Sequence, residues 1–296
     1  MKLLLALMTL AAPVISAPLA MAKASTPSRA LWLWDSSIIK DGDSVTKFIS
    51  VATKKDYKIN RVHALINRDI DNKVWSNFIS RCSASGIAVE ALMGDAQWVL
   101  GKSSPNCDTL EQQLDWVQQY QKSAAAGAKL SGLHMDVEPW GLPGWTSNTA
   151  TLISSLLSIA SKVTAVGRSL NIPTAADIPF WAYTVKCQYG TLDACLIDQV
   201  DSVTLMTYRN TATDLIGIAT PALESMEKAN SAGKPVWLAV ETSPKAAEAS
   251  LISYASKGIT SLVNDLATVE KSAASKSGSF RGIAIHAYQE FLALGA

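Results

Sequence analysis

Gly132-Leu133-His134-Met135-Asp136-Val137-Glu138 reads as a β-strand, and residues 149–165, closed by Gly167, read as the helix that follows it. A further β-rich run at 170–176 completes a strand–helix–strand unit, the building block of a parallel sheet. The alternation continues on both sides. Upstream lie runs at 30–34, 61–66 and 87–92, followed in turn by helical stretches at 43–55, 74–83 and 110–126. Asp108 or Thr109 is placed to cap the third of these helices, and Gly127 to end it. Downstream lie runs at 202–208, 235–240 and 281–286. A helix that begins near Pro221 and ends at Gly233 separates the first two, and helical segments at 246–256 and 260–274 separate the last two.

Eight strands alternating with helices predict an α/β fold, a single (β/α)8 TIM barrel spanning residues 23–296. A doubly wound open sheet is the rival. It often carries a glycine-rich phosphate loop after its first strand, but here that position reads Trp34-Asp35-Ser36-Ser37. No composition break or linker marks a second domain.

Residues 1–22 read as a signal peptide. Lys2 supplies the positive end, residues 3–10 the apolar segment, and Ala20-Met21-Ala22 a small-residue cleavage pattern. Pro13 and Pro18 keep the apolar run short of the roughly 20 residues that a span needs. No later stretch reads as long and apolar enough to cross a membrane. The reading is therefore a secreted protein, extracellular or periplasmic. A net charge of +1 gives no electrostatic footprint for nucleic acid or an anionic membrane. Four cysteines in an exported chain suggest two disulfides, and the shortest loops are closed by Cys82–Cys107 and Cys187–Cys195.

Barrel enzymes carry their chemistry at the C-terminal ends of the strands. In strand order, those ends supply Trp34; Asn67 and Arg68; Asp95; Asp136, Glu138 and Trp140; Asp177 and Trp181; Tyr208 and Arg209; Glu241; and His286 with Tyr288. Carboxylates interleaved with aromatics suit a sugar, whose flat apolar face stacks on a ring while its hydroxyls seek polar partners; the nine tryptophans fit the same picture. His134, Asp136 and Glu138 alternate along one strand and so face the same way, into the barrel. Two carboxyls this close repel when both are charged, so one should hold its proton near neutral pH; the expectation is that Glu138 holds it beside a charged Asp136. His63, His134 and His286 sit on separate strands without an i, i+4 pair, so no metal or other cofactor is expected, although a metal-dependent hydrolase is an alternative. The sequence holds no G-x-S-x-G elbow and no P-loop.

Asp136-Val137-Glu138 on the fourth strand and Met206-Thr207-Tyr208 on the sixth resemble the D-x-E and M-x-Y motifs of glycoside hydrolase family 18, the chitinase-like barrels. The resemblance implies that Glu138 is the acid/base, that Asp136 orients a substrate amide acting as nucleophile, and that Tyr208 hydrogen-bonds that amide. Ser131 and His134 stand where that family has two further aspartates, and Arg209 stands where it has an aspartate after the tyrosine. A second resemblance is to retaining glycosidases with glutamates on strands four and seven, which makes Glu241 a candidate carboxylate nucleophile. Trp34, Asp95, Trp140, Asp177, Trp181, Arg209, His286 and Tyr288 are the candidate substrate-binding residues. The expected partner is a carbohydrate, bound by a monomer. A catalytically inactive carbohydrate-binding barrel is the other alternative.

Overall fold

The computed structural model describes residues 28–212 and 220–296. The signal-peptide segment, 1–22, lies outside the described residues. Eight strands form a closed barrel: β1 (Ser28–Leu33), β2 (Ile59–Leu65), β3 (Ala88–Met93), β4 (Gly132–Met135), β5 (Thr174–Pro179), β6 (Ser202–Met206), β7 (Val236–Glu241) and β8 (Phe280–His286). Each pairs in parallel with its sequence neighbours, and β1 closes on β8. The seam between the two ends of the chain is tied by Arg29, whose guanidinium forks onto Glu270 at 2.6 and 3.1 Å.

Burial on both faces explains why the strands read as continuous apolar runs rather than as alternation. Outward residues such as Leu31, Leu33, Val62, Leu133, Ile178, Leu205, Leu238 and Ile285 pack under the helices. Inward residues Ala30, Trp32, Leu92, Ala239 and Ala284 fill the barrel itself.

The described residues contain nine α-helices: α1 (Gly42–Ala52), α2 (Asn72–Ala84), α3 (Leu110–Ser123), α4 (Trp145–Leu170), α5 (Leu192–Gln199), α6 (Leu223–Ser231), α7 (Ala249–Ile252), α8 (Gly258–Lys276) and α9 (Tyr288–Ala293). Local chemistry starts several of them. Asp41 and Asp71 cap α1 and α2, and Thr109 forms a reciprocal capping box with Gln112 on α3. Helix α3 stops at Ser123, short of Gly127.

Helix α4 runs three residues past Gly167 and ends at Asn171, whose φ of 55° suits an asparagine cap. Gly167 is there for packing: a Cβ would lie 2.5 Å from Thr174 Cγ2 on β5. Residue 170 is therefore helix, and β5 begins at Thr174. By length and composition α4 could cross a bilayer, contrary to the sequence reading, but Leu152, Ile153, Leu156, Ala160 and Val163 are spent on the barrel core. Helix α5 follows a short hairpin of Lys186–Cys187 and Gly190–Thr191, and Cys187 bonds Cys195 as expected.

The second expected disulfide does not form. Cys82 and Cys107 are free. Cys82 lies two residues from the end of α2, at the N-terminal end of the barrel strands, and is fully buried. Cys107 is exposed in the loop after β3, at the opposite end. A disulfide requires Cα atoms within about 7 Å, which the length of the barrel prevents.

Candidate active site at the barrel mouth

Asp136 and Glu138 leave β4 at the C-terminal mouth. Asp136 is still held to the sheet by its amide, which donates to the Met93 carbonyl at 2.9 Å. The neighbouring chain must be glycine there, since a Cβ on Gly94 would sit 1.7 Å from the Asp136 carbonyl oxygen. Pro139 opens a tight turn that folds Trp140 back, and its indole N–H donates to Glu138 Oε2 at 2.8 Å. Both carboxyls are half-buried.

The two carboxyl groups hydrogen-bond one another, and both pKa values are raised. Burial is the main cause for each. For Asp136 the charges of Asp177 and Glu138 add to it, and the rise takes it well above the carboxylate range. For Glu138 the Trp140 hydrogen bond and the one from Asp136 pull the other way. The pair therefore holds a proton above the usual carboxylate range.

Beneath the pair a buried polar column descends the barrel. His134 on β4 faces Asp177 Oδ1 through Nε2 at 2.8 Å and Glu90 Oε2 through Nδ1 at 3.2 Å. Glu90 also contacts Arg61, which stacks on Trp237 with its guanidinium 5.1 Å from the ring centre. His63 Nδ1 lies 2.9 Å from Glu90 Oε2, but neither of its ring nitrogens makes a hydrogen bond. Burial, reinforced by His134 and Arg61, holds its pKa well below the usual value, so this ring is neutral. Asp177 lies within β5 rather than after it, and its side chain is buried with Oδ2 unpartnered.

His63, Glu90 and His134 are the residues best placed to hold a metal, with one donor atom from each falling within 4.8 Å of the others. Two features work against an ion there. Arg61 already places a cation on Glu90. The two imidazoles are stacked, 3.7 Å apart and 31° from parallel, so their lone pairs run side by side rather than converging.

On the other side of the mouth, Trp34 Nε1–H donates to His286 Nε2 at 2.8 Å, and His286 Nδ1 pairs with Glu241 Oε2 at 3.0 Å. Indole N–H is a donor only, so His286 must carry its proton on Nδ1 and give it to Glu241. Burial disfavours the charged imidazole, but the hydrogen bond and charge of Glu241 outweigh it and hold the His286 pKa above its usual value. Glu241 Oε1 accepts from the Thr242 and Ser243 amides at 2.8 and 2.7 Å. Both of its oxygens are thus engaged, and the residue is 5% exposed. The half-buried Tyr208 ring lies 6.1 Å from His286. Its hydroxyl pKa is well above the usual value, through burial first and then the charges of Asp136, Glu241, Asp177 and Glu138, so it stays a hydrogen-bond donor.

Trp140 meets Trp181 and Trp145 edge-on, at 5.7 and 6.4 Å, making an aromatic rim beside Glu138. Arg209 is half-buried with its guanidinium 4.9 Å from the Phe180 ring centre. Two candidates do other work. Asp95 staples its own loop, accepting from the Gln97 amide and from the Ser104 amide and hydroxyl. Tyr288 is 3% exposed and packs edge-on against Phe48, because α9 starts immediately after β8 and turns it outward. Arg61 and Glu90 were not among the candidates, and His63 entered only through the metal-dependent alternative. Their signal was present as inward-facing charges at alternate positions of β2 and β3.

No protein-family model and no curated protein matches the sequence. Solved structures do. A chitinase from Chromobacterium violaceum matches with a TM-score of 0.52 at 9% identity, over 91% of this chain and 98% of that one. The spore cortex-lytic enzyme SleL of Bacillus megaterium matches at 0.52 and 10% identity, over 95% of this chain and 78% of that one. The fold is therefore a closed (β/α)8 barrel like that of these two enzymes.

Proposed function

We propose that this chain is an exported glycoside hydrolase that cleaves O-glycosyl bonds in an N-acetylated polysaccharide or oligosaccharide, with Glu138 as acid/base and Asp136 as its partner. The observation that carries this is the proton-sharing pair at the mouth: two hydrogen-bonded carboxyls of raised pKa, half-open to solvent, beside an aromatic rim that a sugar can stack on. Protonated Asp136 can pass its proton to Glu138 through their hydrogen bond, which arms Glu138 as the donor to the leaving oxygen. The Asp136 carboxylate left behind can then orient and stabilise a substrate amide as it attacks the anomeric carbon. Tyr208, held neutral, can donate to the same amide. Glu138, now deprotonated, can next serve as the base for the incoming water.

Glu241 is the less suitable second group, because Oε1 is fixed by two backbone amides and Oε2 by His286. That favours substrate-assisted attack over a carboxylate nucleophile. The names of the matched proteins, a chitinase and a cortex-lytic enzyme, support a glycan substrate. The test is hydrolysis of a glycan panel by wild type and Glu138→Gln. The variant keeps the shape of the side chain and removes the transferable proton, so turnover should fall by about 10²–10⁴-fold with little change in binding. Unimpaired turnover would place the acid elsewhere. Binding of N-acetylated oligomers without cleavage by wild type would favour the inactive carbohydrate-binding barrel.

A further inference from the structure

His134 has a setting that a structural histidine does not need. It is 1% exposed, and each ring nitrogen faces an oxygen of a different buried carboxyl: Nε2 to Asp177 at 2.8 Å and Nδ1 to Glu90 at 3.2 Å. An imidazole that donates at both nitrogens is a cation. Glu90 is itself bound by Arg61, so the column alternates in sign from Arg61 through Glu90 and His134 to Asp177. It ends below Asp136, which follows His134 by two residues on the same face of β4.

We propose that His134 is the positioning residue of the acid/base pair: clamped between Glu90 and Asp177, it carries a buried positive charge beneath Asp136 and Glu138 and sets the pH range over which the two share one proton. This rests on the proposed glycosidase chemistry for its purpose, but not for its existence. The charge balance has three parts. Asp177, from β5, acts to keep protons on both carboxyls; His134 opposes it at Asp136, and His286 opposes it at Glu138. Tyr208 from β6 is neutral and adds no charge. Glu241 from β7 is screened by His286 from β8, with which it pairs, and His63 from β2 is neutral and adds no second cation. His134 is thus the positive group nearest the pair from below, and a low-dielectric interior lets it act with little screening.

The test uses the intact protein and two readouts. Nitrogen-15 spectra of wild type should show both ring nitrogens of His134 protonated at pH 7; a neutral single tautomer overturns the proposal without any variant. Carboxyl carbon-13 titration then follows Asp136 and Glu138 in wild type, His134→Gln and Glu90→Gln. Glutamine at 134 can still donate to Asp177 but carries no charge, so the pair should titrate about 1–3 pH units higher, the size of shift an adjacent charge produces. Removing the Glu90 charge should move it lower. Opposite shifts in the two variants are what a merely structural histidine would not give, and an unchanged titration in folded variants overturns the proposal. The pH profile of kcat/KM on N-acetylated oligomers should move with the titration in both directions. If wild type cleaves no glycan, the functional reading fails, and the spectra still decide the role of His134.

Discussion

Glu241→Ala separates the two ways in which a second carboxylate could serve this site. In the structure Glu241 anchors the end of β7. Its Oε1 satisfies the amides of Thr242 and Ser243, and its Oε2 holds His286. Truncation to alanine leaves the Ser243 amide and His286 Nδ1–H unpaired, the Thr242 amide keeping the His286 carbonyl at 2.7 Å, so the loss is about 1–3 kcal/mol for each and roughly 2–6 kcal/mol in all. For a barrel of this size each kcal/mol lowers Tm by about 2–4 °C. Glu241→Gln can keep its carbonyl on the two amides and lose only the charged link to His286, at about 1.5–3 kcal/mol. The alanine variant should therefore be the less stable, and the glutamine variant should keep a fold competent for catalysis. The assay is thermal melting of both, with turnover of an activated glycoside in the presence and absence of azide. An anchoring role predicts reduced turnover that azide leaves unchanged. Recovery of turnover with formation of a glycosyl azide would make Glu241 the nucleophile and refute the assignment of Asp136.

The raised pKa of Asp136 makes a prediction about stability. A carboxyl whose folded pKa exceeds its unfolded value binds protons more tightly when folded, so its contribution is fully present below the unfolded value, 3.8, and is lost as pH rises toward the folded one. Asp136→Asn should thus match wild type in Tm near pH 4 and exceed it increasingly toward pH 7, while losing activity; parallel melting curves at both pH values would contradict the burial argument. Gly94→Ala should destabilise the barrel and disable the site together, since its Cβ would fall 1.7 Å from the Asp136 carbonyl; circular dichroism melts and turnover report both. The thiols should differ under native alkylation. Cys107 is exposed and should react, whereas burial pushes Cys82 up to about 12 and should protect it until unfolding, and peptide mapping should find Cys187 bonded to Cys195.

The barrel was legible because each strand is buried on both faces, which writes it into the sequence as an apolar run between turn signals. Element ends were less so. Gly167 has the look of a helix terminator but owes its place to Thr174, a contact made across 7 residues of sequence and invisible to local rules. The mouth was legible in Asp136, Glu138, Trp140, Tyr208 and His286, whose alternation points them inward. Asp95 and Tyr288 escape local rules for one reason: a polar residue after a strand can serve its own loop, as Asp95 does, or turn outward with the next helix, as Tyr288 does. Glu90 and Arg61 went unnoticed because a charge near the middle of a strand looks out of place until the side chain that neutralises it is found on the next strand.

Closure of the barrel has a consequence for how the chain acquires its shape. The β1–β8 pairing and the Arg29–Glu270 fork join segments about as far apart in sequence as this protein permits. Pairings of that span are slow to form, since the entropy of closing the loop must be lost before any contact rewards it. Until residues 280–286 have left the ribosome, the free edge of β1 has no native neighbour and remains open to pairing with other chains. Truncation near the C-terminus should therefore harm solubility more than the few contacts it deletes would suggest, and the final strand acts as the clasp that protects the first.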